Sequence, residues 1–295
     1  MTDGFRTGYL AVIGRPNVGK STLTNRLVGA KISITSKKAQ TTRHRIHGIL
    51  TTGDAQFIFV DTPGFQMTHK NALNRLMNRS VTSSFADVDV ILLVVEAGNW
   101  GSGEAEILRM LPAATPVLLV INKIDRLADK AELLPFIAKL SALHGFAEIL
   151  PVSAEKDLGI RELLLAARPY LPEGPAIFDA DDITDRNERF LASEILREKL
   201  FRNLGEELPY GIAVEIEKFE QEGELRRIHA AVIVDKSGHK PIVIGRGGER
   251  LKRISTDARK EMETVFGGKV WLETWVKVKG GWADDERALK SLGYD

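Results

Sequence analysis

A doubly wound, mostly parallel α/β domain followed by a smaller α+β domain is the architecture this sequence predicts, and three observations carry that reading. Within residues 1–172, short β-rich runs alternate with helical patterns. From Pro169 to Arg186 the chain carries three prolines together with Asp179, Asp181, Asp182 and Asp185, the composition of an exposed linker. Beyond it the rhythm changes to α-β-β-α-α-β. The expected boundaries are residues 1–172, a linker at 173–188 and a second domain at 189–295.

In the first domain, residues 9–13, 46–51, 56–60, 88–95, 117–121 and 148–152 read as strands, several of them near-continuous apolar runs of the kind that helices cover on both faces. Helical patterns fall at 20–28, 71–83, 104–111, 130–143 and 159–168. Ligands of such sheets sit at the carboxyl ends of the strands, which makes those ends the places to search for chemistry. In the second domain a helix at 189–204 precedes alternating strands at 212–219 and 226–234. A glycine-rich turn flanked by helical pattern follows, then a strand at 269–278. Core packing of that last strand is expected to take Trp271 or Trp275.

Composition removes several function classes. The 295 residues include 43% hydrophobic, 27% charged and no cysteine, so the chain reads as globular, without disulfides, zinc-thiolate sites or cysteine nucleophiles. No apolar run approaches the length of a membrane helix, and the N-terminus has no signal-peptide core, so the expected location is the cytoplasm. The formal net charge is +1. It divides into +5 for residues 1–172 and −4 for the rest, so a nucleic-acid site must be a local patch. One candidate lies between Lys240 and Glu261, where seven basic residues face three acidic ones.

The first strand runs into Gly14-Arg15-Pro16-Asn17-Val18-Gly19-Lys20-Ser21, the pattern G-x-x-x-x-G-K-[ST], at the start of a helix. Glycines let backbone N–H groups close around phosphates, and the helix N-terminus adds a positive dipole end. Lys20 can reach the β- and γ-phosphates and the Ser21 hydroxyl can bind Mg²⁺. Asp61-Thr62-Pro63-Gly64 follows the third strand, where Asp61 can hold Mg²⁺ through water and the Gly64 N–H can sense a γ-phosphate. Asn122-Lys123-Ile-Asp125 follows the fifth. The Asp125 carboxylate can accept from guanine N1–H and the 2-amino group, donors that adenine lacks, while Asn122 and the Lys123 stem flank the base. Ser153-Ala154-Glu155 after the last strand completes the pocket, with the Ala154 N–H as a donor to guanine O6.

These four elements, in this order, resemble the translation-factor class of GTPases. The resemblance places a first switch at Ala39-Gln40-Thr41-Thr42-Arg43-His44-Arg45, where a threonine completes the Mg²⁺ shell; related GTPases put it directly before an arginine, which favours Thr42 over Thr41. Lys20, Thr42, Asp61 and Gly64 are therefore the expected catalytic set. Phe65 stands where Ras-like GTPases place a water-orienting glutamine, so slow hydrolysis is expected. GTPases sharing G-x-P-N-x-G-K-S hold a K⁺ ion through the asparagine, here Asn17. His44 and His47 lie beside Arg43 and Arg45 without carboxylate neighbours in sequence, which argues for solvent or RNA contact over a metal site.

Val243-Ile244-Gly245-Arg246-Gly247-Gly248 resembles the I-G-x-x-G signature of a KH domain, followed by a basic helix bearing Lys252 and Arg253. In KH folds this loop clamps about four nucleotides of single-stranded nucleic acid. A GTPase domain followed by a type II KH domain resembles the Era family of bacterial ribosome-assembly GTPases. Further stretches share the likeness, among them Leu208-Pro-Tyr210, Trp275-Val-Lys-Val-Lys279 and Gly281-Trp-Ala-Asp-Asp-Glu-Arg. Membership implies GTP and GDP as ligands, Mg²⁺, binding near the 3′ end of 16S rRNA, a role in 30S subunit maturation, a monomeric state and some peripheral association with the cell membrane.

Overall fold

A computed structural model of the chain describes residues 4–36, 38, 41–65, 72–85, 87–205, 208–292 and 294. It divides into two compact units. The first comprises Met1–Ser33, Thr42–His69 and Met77–Asp185; the second comprises Ile34–Thr41, Lys70–Leu76 and Arg186–Asp295. Ala39 and Gln40 of the expected first switch, Lys37 just before it, and Asn71 at the expected start of a helix lie outside the described residues.

The first unit is built on six strands, β1 (Arg6–Ile13), β2 (Ile46–Thr51), β3 (Ala55–Asp61), β4 (Val90–Glu96), β5 (Val117–Asn122) and β6 (Glu148–Pro151). Their order is β2-β3-β1-β4-β5-β6, with only β2 antiparallel to its neighbour β3. Strands β1, β4 and β5 bury almost every side chain, which is why their sequences are continuous apolar runs. The helices are α1 (Lys20–Val28), α2 (Ala72–Ser83), α3 (Ser102–Met110), α4 (Leu133–Ser141) and α5 (Ile160–Ala167). Sequence order reverses at β1, which has β3 on one side and β4 on the other. This is the switch point at which doubly wound sheets bind their ligands.

The stretch read as an exposed linker is exposed along most of its length, and its backbone is also hydrogen-bonded to this unit. The Gln56 side chain accepts from the N–H groups of Ile177 and Phe178 at 2.7 and 3.0 Å and donates to the Phe178 carbonyl at 2.9 Å. The Ile49 N–H donates to Ile183 at 3.0 Å, and Thr184 bridges to Gly48. Ile183, Thr184 and Asp185 follow the free edge of β2, where one irregular strand-like pass satisfies backbone groups.

The second unit contains α6 (Glu188–Asn203), β7 (Ile212–Glu222), β8 (Leu225–Val234), α7 (His239–Ile244), α8 (Glu249–Phe266), β9 (Lys269–Val278) and α9 (Glu286–Ser291). Its sheet has the order β7-β8-β9, with β7–β8 antiparallel and β8–β9 parallel. Leu196, Leu200, Ile228, Val232, Ile254 and Met262 are among the residues of its core.

Trp271 and Trp275 do not enter that core. Val270, Leu272 and Val276 fill it from β9. Strand periodicity sends both tryptophans to the opposite face, where His229 packs against them at 5.1 and 6.2 Å and Trp271 stays 40% exposed. The buried tryptophan is Trp282, whose Nε1 donates to the Gly211 carbonyl at 3.1 Å and whose ring stacks on Tyr294. Helix α9, absent from the sequence reading, starts at Asp285, which accepts from the N–H groups of Arg287 and Ala288.

Candidate nucleotide and RNA sites

The loop after β1 is shaped by glycines with no room for a side chain. Gly14 has φ 152°, and a Cβ on it would lie 2.3 Å from the Val94 carbonyl oxygen; one on Gly19, at φ 100°, would lie 2.3 Å from Asn122 Nδ2. Asn17 is held in the left-handed region at φ 68°, a strained conformation for a residue with a side chain. Lys20 is buried beneath this loop, and its ammonium donates to the carbonyls of Gly14 at 3.1 Å and Arg15 at 2.9 Å. Burial strips water from it and pushes its pKa down to about 8, partly opposed by the charge of Asp61.

Asp61 ends β3 and is fully buried. Desolvation raises its pKa; Ser33, Lys20, Ser21 and Thr42 pull the other way. Yet neither carboxylate oxygen has a hydrogen-bond partner of good geometry. Ser21 Oγ and Thr42 Oγ1 lie 2.6 Å apart. Two hydroxyls and an unsatisfied carboxylate of a buried residue are hard oxygen donors of the kind Mg²⁺ takes, so the residues present fit that ion. Thr62 donates to the Val12 carbonyl at 2.9 Å. A Cβ on Gly64 would meet Pro16 N at 2.8 Å, so the Asp61-to-Gly64 segment passes directly over the phosphate loop. Phe65 follows and packs against the apolar cluster containing Ile91 and Ile121.

Asn122 and Lys123 bind this loop to the far end of the sheet. Asn122 Nδ2 donates to the Val18 carbonyl at 2.9 Å, and its Oδ1 accepts from the Ala154 N–H at 3.0 Å. The amide expected to meet guanine O6 is thus engaged with Asn122. Lys123, at φ 64°, donates from Nζ to the Asn17 carbonyl at 2.6 Å and to Glu96 at 2.9 Å. Asp125 accepts from Ser153 Oγ at 2.5 Å, and Ser153 Oγ in turn accepts from the Lys156 N–H at 3.1 Å. Glu155 pairs with Arg126 at 3.0 Å.

Several supporting residues carry no motif and escaped the sequence reading. Glu104 is 2% exposed and receives both Arg15 and the Gly101 N–H, so the first turn of α3 anchors the phosphate loop. Arg26 donates to the Ala154 carbonyl at 3.2 Å. Asn25 accepts from the N–H groups of Ile32 and Ser33 at 3.0 and 2.9 Å and donates to the Ser33 carbonyl, fixing the chain that enters the first switch. His47, read as a solvent or RNA contact, pairs with Asp185 at 3.1 Å and meets the Tyr9 ring edge-on. Among the described residues no cluster of three or more His, Asp or Glu could hold a metal.

In the second unit α7 ends at Gly245, whose N–H donates to the Pro241 carbonyl at 2.9 Å. Gly245, Gly247 and Gly248 all have positive φ, at 78°, 57° and 81°. A Cβ on Gly245 would strike Arg250 Cβ at 2.6 Å, whereas Gly247 and Gly248 face open space. Ile244 packs half-buried on the core beneath the loop. Arg246, Gly247, Lys252 and Arg253 are exposed, and Arg253 also donates to Asn203 at 3.1 Å. The arrangement presents backbone and two flanking cationic stretches to solvent, as a phosphate-backbone clamp requires.

Comparison with known proteins agrees with both halves. Residues 9–123 match the family described as a 50S ribosome-binding GTPase, and residues 207–283 match the KH domain family. GTPase Era of Nitrosomonas eutropha is 59% identical over 293 residues, covering 99% of each chain, and GTPase Era of Chromobacterium violaceum is 57% identical over the whole of both. Among solved structures, Era in complex with MgGDPNP and nucleotides 1506–1542 of 16S ribosomal RNA is 40% identical, with a TM-score of 0.95 over 98% of this chain and 99% of that one. The phosphate loop, the base pocket and the KH loop thus occur together in a sequence related along its full length to these proteins, and the chain belongs to the Era family of GTPases.

Proposed function

We propose that this protein is a guanine-nucleotide switch that binds small-subunit rRNA near its 3′ end through the KH loop and assists 30S maturation. One observation carries the switch: Lys20, Ser21, Thr42 and Asp61 converge at the carboxyl ends of β1 and β3, with Thr42 supplied by the first-switch segment. Lys20 would bind the β- and γ-phosphates, and Gly64 would sense the γ-phosphate through its N–H. Ser21, Thr42 and Asp61 would hold Mg²⁺, which when bound neutralises charge on those phosphates. Asp125 would read guanine, with Asn122, Lys123 and Ser153 fixing its pocket. RNA contact is assigned to Ile244, Gly245, Arg246, Gly247, Gly248, Lys252 and Arg253, in keeping with the rRNA segment bound by the solved relative.

Hydrolysis is slow on this reading because Phe65 offers no polar atom to orient water. A K⁺ ion held by Asn17 would add positive charge near the phosphates and stimulate turnover. The protein acts as a monomer in the cytoplasm, with peripheral contact at the membrane; among the described residues no helix is long and apolar enough to cross one. Affinity for a 16S rRNA 3′ fragment, measured at fixed salt with a GTP analogue, with GDP and without nucleotide, tests the whole. Clearly tighter binding with the analogue is expected. Equal affinity in all three states would leave an RNA-binding scaffold whose nucleotide does not control it.

A further inference from the structure

We infer that Glu104 of α3 is a positioning residue for the phosphate loop, acting through Arg15 to set how long GDP and GTP stay bound. The inference rests on the guanine-nucleotide reading above and adds a residue that lies in none of the four nucleotide motifs. Gly14, Asn17 and Gly19 of the loop all have positive φ, at 152°, 68° and 100°. Of the three only Asn17 has a side chain, and its strained backbone persists only where neighbours impose it. One tie is already in place: Lys123 Nζ donates to the Asn17 carbonyl at 2.6 Å while Glu96 receives the same ammonium at 2.9 Å. Glu104 supplies the tie at the loop's other end.

One guanidinium nitrogen of Arg15 donates to both carboxylate oxygens of Glu104, at 3.1 and 3.2 Å. The Arg15 stem reaches them across Gly103, where an added Cβ would lie 2.7 Å from Arg15 Cδ and 2.8 Å from its Nε. Glu104 does not move with the loop. Its Oε2 accepts from the Gly101 N–H at 2.9 Å, and one turn on Ile107 is fully buried among side chains of β4 and β5. Trp100 packs on the same cluster. The loop is therefore fastened to the sheet through α3. Capping Gly101 alone requires only an acceptor, which a glutamine would provide without the cost of burying a charge. The charge of a carboxylate 2% exposed has one evident partner, and that partner is Arg15.

The sign of the effect comes from what Arg15 carries. Its carbonyl accepts from the Lys20 ammonium at 2.9 Å, so the residue that Glu104 holds also seats the lysine. A loop already held in shape gives up little freedom when its N–H groups close on a β-phosphate. GDP and GTP share that phosphate, so both gain equally, and the gain falls on release. Ser21, Thr42, Asp61 and Gly64, which would face the γ-phosphate and its Mg²⁺, touch neither Glu104 nor the Arg15 guanidinium, so the rate at saturating GTP is unaffected.

The test compares Glu104→Gln, Arg15→Gln and the double variant in the full chain with Mg²⁺. Affinities for GDP and a non-hydrolysable GTP analogue, GDP release, hydrolysis at saturating GTP and the thermal midpoint are measured for each. Glu104→Gln keeps the acceptor for Gly101 and is expected to speed GDP release about fivefold to tenfold. Both affinities should weaken by the same factor, with kcat held within about twofold. Arg15→Gln should weaken both nucleotides alike and lower the midpoint, because it strands the buried carboxylate. In the double variant the midpoint should recover while affinity stays low, no weaker than the worse single variant, and Arg15→Lys should regain part of the loss. Unchanged GDP release in Glu104→Gln overturns the inference. So does a double variant whose nucleotide affinity recovers together with its midpoint, since Glu104 would then serve stability alone. Wild-type protein that binds neither nucleotide would instead overturn the guanine-nucleotide reading, and the wild-type titration separates the two failures.

Discussion

Lys20 shows how a single buried charge makes this site dependent on pH. Its pKa of about 8 lies below the ordinary 10.5 because the loop carbonyls replace less solvation than burial removes. Below about pH 8 the residue is protonated both folded and unfolded, and the cost of burying the charge is borne in full. Between about 8 and 10.5 the unfolded chain binds more protons than the folded one, so this residue's contribution makes stability rise with pH across that window. Nucleotide phosphates would restore the charged form. Binding of GDP at pH 8.5–9 is therefore expected to take up most of a proton, read by calorimetry in buffers of different ionisation enthalpy, and to take up almost none at pH 7. Absence of uptake at the higher pH would contradict the geometry assigned to Lys20. Asp125 gives a second test at this scale. Asp125→Asn replaces one acceptor with a donor beside Ser153 Oγ, so preference should move from guanine to xanthine nucleotides by an order of magnitude or more. Unchanged guanine selectivity in competition binding would remove Asp125 from the base pocket.

At the scale of elements, the KH loop is where the proposed RNA binding can be separated from catalysis by substitution. Gly247 faces open space at φ 57°, so an aspartate there strains the backbone without a clash, and Arg246 is exposed. Replacing both with aspartate should lower RNA affinity at least tenfold by repelling phosphates, while basal GTP hydrolysis stays at the wild-type rate; intact RNA affinity would move the site elsewhere. This loop and the phosphate loop were legible in the sequence because glycine spacing and strand-then-helix context are local. The strands of the first sheet were legible for the same reason, as unbroken apolar runs. What stayed hidden depends on long-range partners. Val270-Trp-Leu-Glu-Thr-Trp-Val276 carries apolar residues on both faces, so its pattern could not say that the tryptophans face away from the core. Glu104, Arg26 and Asn25 read as ordinary polar helix residues until the fold brings them to the loops they hold. The acidic stretch before α6 is as exposed as its composition says, yet nothing in it announces the Gln56 side chain and β2 edge against which its backbone lies.

The charge of the whole molecule sets how salt should act on RNA binding. A net +1 over 295 residues gives almost no long-range attraction for a polyanion, so affinity must come from the local excess between Lys240 and Glu261. Not all of those seven basic residues serve it equally: Arg259 pairs with Glu263 at 2.9 Å and Arg250 is half-buried, whereas Arg246 in the glycine loop and Lys252 and Arg253 just after it are exposed cations. A clamp on about four nucleotides with three such cations should neutralise roughly three phosphates. For a single strand the logarithm of affinity then falls against the logarithm of salt concentration with a slope near −2. The measurement is a titration of the 16S rRNA 3′ fragment between about 50 and 200 mM KCl at saturating GTP analogue. A slope near −2 that loses about 0.7 in Lys252→Ala would place the phosphate contacts on α8 beside the loop. A slope steeper than about −5 would require many more cations than this patch exposes, and the RNA path would then have to run across surfaces other than the one built around Gly245 to Gly248.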